Sequence, residues 1–313
     1  MPNVVLLFPG QGSQAPGMGK DLAERFPVAR ELFEAADVAV GAPLSALCFD
    51  GPADELTRTD NAQPALLAHG AAAWAVVRDE LAPRVVAAAG HSLGEFTAYH
   101  AADALPFAEA VRLVRRRGEL MREAGTRRPG AMAAVLGAPT TTIEEICREA
   151  TLGAGLVVPA NYNCPGQVVI SGEVAGVERA MELVKVANAK ARRLNVSGAF
   201  HSPLMEYAVP GLGAALDGAV FADARFPVYA NVSAQPVTDA ALARRLLLEQ
   251  LTAPVQWTRT IESLAALHPD ALFVELGPGT VLKGLVKKIA PDVAVASCGT
   301  GADVEALLTL VAA

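Results

Sequence analysis

The stretch VVAAAGHSLGEF, residues 85–96, constrains the fold of this chain more than any other. Val85 to Ala89 is a short apolar run of the kind that forms a buried strand, and the residues after Ser92 turn helical. Gly90-His91-Ser92-Leu93-Gly94 between them matches the pattern G-x-S-x-G. Small residues at both flanks permit a turn sharp enough to leave the serine hydroxyl exposed at the strand end. Read without chemistry, the same residues are a glycine turn with an incidental serine, and the strand before and helix after argue against that.

The same rhythm runs through the neighbouring sequence. Val4 to Phe8 (VVLLF) reads as a second buried parallel strand, Leu22 to Ala36 as a helix, and Gln63 to Leu81 as a long helix with Leu66, Leu67, His69, Gly70 and Trp74 inward. Strands alternating with helices predict a parallel sheet covered on both faces. Near residue 126 the rhythm changes at GTRRPG. AMAAVLG, LVVPANY, QVVISG and ARRLNVS then read as strands, and TTIEEICREA and VERAMELVKVANA as helices. That order, βαββαβ, is the ferredoxin-like arrangement. The expected fold is α/β: a large domain over residues 1–125 and 198–313, with a ferredoxin-like small domain over 126–197 inserted into it. PVYANV and ALFVEL are the clearest later strands of the large domain.

Composition closes off other classes. With 52% hydrophobic and 19% charged residues the chain is globular, and no apolar run approaches the ~18 residues needed to span a bilayer. The opening MPNVVLLFPG lacks the basic start and the length of a secretion signal, so the cytoplasm is the expected compartment. Cys48, Cys147, Cys164 and Cys298 are far apart and form no CxxC pair, which predicts reduced, buried thiols and no metal site. A net charge of −7 gives no support to nucleic-acid binding, and an acidic partner would need a local basic patch.

A serine is a weak nucleophile until a base takes its proton. His69 lies in a helix, His91 beside the serine with its ring expected to point away, His100 two turns along the next helix, and His268 before a proline in a loop. His201, in GAFHSPLM, falls where the chain re-enters the large domain, and loops at strand ends are where such a base belongs. The Leu93 N–H, at a helix N-terminus, can face a developing oxyanion. A second donor can come from the loop Pro9-Gly10-Gln11-Gly12-Ser13-Gln14. That loop is no nucleotide site: G-x-G-x-x-G would need glycine at Ala15, and a phosphate loop ending at Gly19-Lys20 would need glycine at Gln14 and Ser or Thr at Asp21.

Phe107 to Ala124 reads as a helix whose apolar stripe runs through Ala110, Val114, Met121 and Ala124, and Arg117 falls on that stripe. Two accounts stand. Arg117 reaches along the surface with its charge in water, or it is a partly buried guanidinium that waits for a carboxylate to take two parallel hydrogen bonds. On the second account an uncharged acyl group leaves the cation unpaired, at a cost of roughly 3–5 kcal/mol. Serine and arginine together then imply a substrate that is both acyl donor and free acid. A serine hydrolase, such as a thioesterase, shares the elbow and base but has no use for that arginine. A chain that binds a partner without ever becoming acylated is the other alternative.

Taken as a set, FPGQGSQ at 8–14, QPA at 63–65, GHSLGE at 90–95, RG at 117–118 and AMAAVLG at 131–137 resemble the malonyl-CoA:acyl carrier protein transacylases and the related acyltransferase domains of polyketide synthases. The resemblance continues through NYNCPGQVVISG at 161–172, GAFHS at 198–202, QLTAPVQW at 250–257 and ELGPGTVLKGL at 275–285. It implies transfer of malonyl from malonyl-CoA to the phosphopantetheine thiol of acyl carrier protein, in fatty-acid or polyketide synthesis, with no metal or redox cofactor. By position, Ser92 resembles the acylated nucleophile, His201 its base, and the amides of Gln11 and Leu93 the oxyanion hole. Arg117 resembles the clamp for the malonyl carboxylate, and Gln250 the residue whose main-chain carbonyl orients the histidine, which makes the site a dyad. Gln63 and Asn163 match pocket positions. Phe200 resembles the malonyl-selective pattern, since methylmalonyl-selective relatives tend to carry serine there. Docking of an acidic carrier would use local cations, either Lys190, Arg192 and Arg193 or Lys283, Lys287 and Lys288. A monomer is expected.

Overall fold

The computed structural model describes residues 2–312. Ten strands fall in two sheets among those residues. In chain order they are β1 Val4–Phe8, β2 Val85–Gly90, β3 Gly130–Leu136, β4 Val157–Cys164, β5 Gln167–Glu173, β6 Lys190–Arg193, β7 Val228–Tyr229, β8 Pro236–Val237, β9 Leu272–Leu276 and β10 Ala294–Cys298. The large sheet has the order β10-β9-β1-β2-β7-β8. Its first five strands are mutually parallel, and β8 pairs antiparallel with β7 at one edge. The small sheet, β4-β5-β3-β6, is antiparallel throughout and carries the two helices Thr140–Ala154 and Val174–Val186.

All five residues of β1 are buried, as are those of β9, because both strands lie inside the large sheet with helices over each face. The helix Thr59–Leu81 is buried along most of its length against the amphipathic helix Phe107–Arg127. It begins four residues before the expected Gln63 and carries Pro64 inside it. Proline has no N–H to return to the Asp60 carbonyl. The Arg115 guanidinium donates to that carbonyl instead, at 3.0 Å, so the helix passes through the proline with its backbone satisfied.

Four other expectations shift. The helix expected over 22–36 is two, Lys20–Arg25 and Pro27–Val40, because Phe26 precedes a proline and is held extended at φ −123°. The helix Phe107–Arg127 runs past the expected break at 126, and β3 begins only at Gly130. Of ARRLNVS only the first part stays paired in β6. From Asn195 the chain leaves the sheet, after Leu194 makes a last bond to the Met132 carbonyl, and Leu194, Asn195 and Val196 line a cavity. PVYANV shrinks to Val228–Tyr229, because the chain turns back through Ala234, in the left-handed region at φ 56°, to form β8.

The two sheets are joined by more than the chain crossings. Tyr162 N–H donates to the Val255 carbonyl and Val255 N–H to the Ala160 carbonyl, both at 2.9 Å, which ties β4 to the segment after Gln250. All four cysteines are buried and unpaired. Among the described residues no helix is long and apolar enough to cross a membrane, and no cluster of three His, Cys, Asp or Glu residues could hold a metal ion.

Candidate active site

The carboxyl ends of β1 and β2 lie side by side in the middle of the parallel sheet, where chain direction leaves a crevice at the strand ends. The loop after β1 and the turn after β2 meet there so closely that a Cβ on Gly10 would stand 2.5 Å from the His91 carbonyl oxygen. The turn after β2 needs its glycines for the same reason. A Cβ on Gly90 would lie 1.9 Å from the Gly94 carbonyl carbon, and one on Gly94 would lie 2.1 Å from the Phe8 carbonyl oxygen. Ser92 sits at the apex in the left-handed region, φ 53°. That conformation is uncommon for a residue with a side chain and persists only where the surroundings fix it. Asn231 supplies the fixing: its carboxamide accepts from Ser92 N–H at 2.7 Å and donates to the Gly90 carbonyl at 2.6 Å.

His201 reaches the serine from the other end of the chain's excursion through the small sheet. Its Nε2 lies 2.7 Å from Ser92 Oγ, and its Nδ1 lies 2.8 Å from the Gln250 carbonyl oxygen. A carbonyl can only accept, so Nδ1 carries the hydrogen and Nε2 is left free to accept from the serine hydroxyl. His201 is also left-handed, at φ 55°. Burial holds its imidazole neutral, pushing its pKa down to about 3. The Arg117 charge works in the same direction, and the Gln250 carbonyl works against both.

Arg117 is fully buried, and none of its hydrogen bonds goes to a carboxylate. Nη1 donates to Gln63 Oε1 at 2.7 Å, and Nη2 donates to Gln250 Oε1 at 2.8 Å and to Ser92 Oγ at 3.1 Å. Nε has no partner among the described residues. The surface account of this arginine fails on its burial. Burial lowers its pKa to about 10, opposed by the charge of Glu95. Gln63 is held in turn by Thr59, which accepts from its Nε2 at 3.1 Å and donates to Gln11 Oε1 at 2.9 Å.

Ser92, His201, Arg117, Gln63, Gln11, Leu93, Asn163 and Phe200 all line one cavity of about 400 Å³, between the large sheet's crevice and the face of the small one. Among the described residues neither the Gln11 nor the Leu93 N–H has a protein acceptor, and both residues line the cavity. Asn163 Oδ1 accepts from His91 Nε2–H at 2.9 Å, and so keeps the His91 ring off the serine. His69 is a core residue bonded to the Gly299 carbonyl, and His100 bonds to the Leu105 carbonyl. Of the candidate docking cations, Arg193 pairs with Glu178 and Lys287 donates to the Pro291 and Val293 carbonyls. Lys283 stands on the helix Val281–Ile289, whose first residues form part of the cavity wall.

Two residues and one side chain escape sequence reasoning. Glu95 and Asn231 are buried polar residues beneath the serine, and Gln250 contributes its side chain as well as its carbonyl. For Glu95 the available signal is a carboxylate in the first turn of a helix with no other acidic residue. Asn231 leaves no signal, because its role depends on a contact across 139 residues.

Residues 5–299 match the family model described as acyl transferase domain. A malonyl CoA-acyl carrier protein transacylase of Bacillus subtilis is 47% identical over 291 residues, covering 92% of this chain and 91% of that protein. One from Salmonella typhimurium is 41% identical over 310 residues, covering 99% of this chain and 100% of that protein. Among solved structures, the malonyl-CoA:acyl carrier protein transacylase of Xanthomonas oryzae pv. oryzae superposes with a TM-score of 0.94 at 42% identity, over 99% of this chain and 98% of that one. A malonyl-transacylase solved in complex with its type II PKS acyl-carrier protein gives 0.93 at 40% identity, over 98% and 99%.

Proposed function

This chain belongs to the acyl transferase domain family, and on that footing we propose that it carries malonyl from malonyl-CoA to the phosphopantetheine thiol of acyl carrier protein through a malonyl-Ser92 ester. The observation that carries the reading is the buried Arg117 guanidinium, bonded only to neutral groups and 3.1 Å from the serine hydroxyl. A cation so placed has no anion in direct contact, and a malonyl group brings one within reach of the acylated oxygen.

His201 Nε2 takes the Ser92 proton as Oγ attacks the thioester carbonyl, and the Gln250 carbonyl holds the imidazole in the tautomer that can do so. The tetrahedral oxyanion faces the Gln11 and Leu93 N–H groups, each worth about 3 kcal/mol on the transition state. Collapse breaks the C–S bond, and CoA leaves as the thiol with the proton from His201. The carrier's thiol then enters and reverses the steps, a ping-pong sequence that calls on no metal or redox cofactor. Phe200 and Gln63 bound the acyl pocket, and Phe200 restricts the space for a branched malonyl.

We read residues 1–125 and 198–313 as a hydrolase-like α/β domain and 126–197 as a ferredoxin-like insert. The order β4-β5-β3-β6 and the βαββαβ sequence of elements support this. The carrier approaches the cavity mouth near Lys283, and the chain acts as a cytoplasmic monomer. In a thioesterase the acyl enzyme would pass to water in place of a thiol.

Arg117→Ala tests the reading. Leaving the malonyl carboxylate without its partner lowers kcat/KM for malonyl-CoA by about a hundredfold or more, while uncharged acyl-CoA donors are accepted as well or better. Malonyl transfer unaltered by that change would refute the clamp.

A further inference from the structure

The guanidinium is not alone in the dry interior. Glu95, fully buried one residue past the elbow, lies two hydrogen bonds away from it. Gln250 Nε2 donates to Glu95 Oε2 at 2.7 Å, and Gln250 Oε1 accepts from Arg117 Nη2 at 2.8 Å. The same Oε2 accepts from Asn231 N–H at 3.0 Å, while Oε1 is buried with no partner among the described residues. A carboxylate and a guanidinium thus face each other across one amide, with a vacant lone-pair site on the carboxylate's far oxygen.

We propose that Glu95 is the resident counter-ion of Arg117, wired to it through the Gln250 amide, and that it takes up a proton on Oε1 when the substrate's carboxylate reaches the guanidinium. The inference rests on the malonyl reading of the site. Before the donor arrives, one buried cation faces one buried anion. Afterwards two carboxylates share a single guanidinium in a water-poor site, and like charges in such a site cannot both stay ionised. The substrate's carboxylate holds the direct contact with Arg117, so the neutralised group is Glu95. The proton comes from solvent, the O–H bond forms at Oε1, and Oε2 keeps both of its donors.

The groups that bear on Glu95 are few. Arg117 faces it from the helix Phe107–Arg127, and Tyr99 stands one turn along its own helix with its hydroxyl unpartnered among the described residues. The segments after β7 and before Val255 bring it only the Asn231 main chain and the Gln250 amide. Burial already lifts the Glu95 pKa to about 7, against the lowering effects of Asn231, Gln250 and Arg117, so a further negative charge acts on a carboxyl already poised to protonate. Glu95 touches no substrate atom on this account and is a positioning residue.

The test counts protons during malonylation. Wild-type protein and Glu95→Gln are mixed with malonyl-CoA in weakly buffered indicator solution, and the adduct is quantified by intact mass in the same samples. Wild type takes up close to one proton per adduct at about pH 8, fading towards about pH 5, where the carboxyl is already protonated. Glu95→Gln, whose amide oxygen can keep both donors, takes up none. Should that variant fail to fold, the infrared difference spectrum of ¹³C-glutamate-labelled wild type replaces it, and malonylation adds a label-sensitive protonated-carboxyl band. An adduct that forms with neither uptake nor band overturns the proposal, as does uptake that persists in Glu95→Gln. No adduct at all would instead sink the malonyl reading itself, and the proposal with it.

Discussion

His201 shows how a single side chain is prepared for its task by what surrounds it. Its ring is buried, carries its hydrogen on the side of the Gln250 carbonyl, and stands near a guanidinium. Each of the two larger influences, burial and then the Arg117 charge, penalises the imidazolium, so the folded-state pKa is depressed to about 3. The sign follows. The unfolded imidazole gains its proton as pH falls through about 6.5, while the folded one stays neutral to far lower pH, so this group opposes folding increasingly as the medium becomes acidic below about 6.5. An NMR titration of the ring nitrogens should find His201 neutral from pH 8 to about pH 5, and Arg117→Ala should raise its titration point, since one of the two causes is gone. A His201 that titrates near 6.5 in the wild type, or does not move in the variant, would contradict this. Arg117 itself was legible in the sequence, because an arginine in register with Ala110, Val114 and Met121 has to be explained. Glu95 was not, since a glutamate near a helix start is ordinary until its burial is known.

At the scale of elements, the elbow between β2 and the helix Gly94–Ala101 is a fit between three pieces of backbone. The close approach of Gly94 to the Phe8 carbonyl lets β1 and the turn share one strand end, with His91 N–H donating to that same carbonyl at 2.9 Å. Gly94→Ala drives a methyl into main chain that cannot swing aside. We expect a loss of about 1–3 kcal/mol in stability, read by denaturant melts, and a larger fractional loss of acylation rate, because the Leu93 N–H moves with the turn. A variant that is destabilised yet acylates at the wild-type rate would separate the elbow from the chemistry. The sequence announces this element because apolar strand, glycine and helix follow one another without a gap. It is silent where pairing is set at a distance. β7 and β8 are two residues each, too short for alternation to register, and β6 is a charged edge strand that ends where the cavity begins.

Across the whole molecule, Ser92 and His201 come from segments 109 residues apart, with two helices of the large sheet's side and the whole small sheet between them in the chain. The fold closes that distance with the β4 bonds to Val255, which bring the Gln250 segment under His201, and the two sheets then wall one cavity. Motif blocks gave the residues of this site one by one. Their convergence, and the amides that link Arg117 to Gln63 on one side and to Gln250 and Glu95 on the other, exist only in three dimensions. The central claim is that the chain forms a malonyl ester on Ser92 and surrenders it to a carrier thiol. The direct measurement is an intact-mass spectrum of wild type and Ser92→Ala after brief mixing with malonyl-CoA, repeated after addition of phosphopantetheinylated acyl carrier protein. The account predicts a malonyl adduct on the wild type alone, which disappears as malonyl-carrier appears. An adduct that persists in Ser92→Ala, or one lost to water while the carrier stays unloaded, would contradict it.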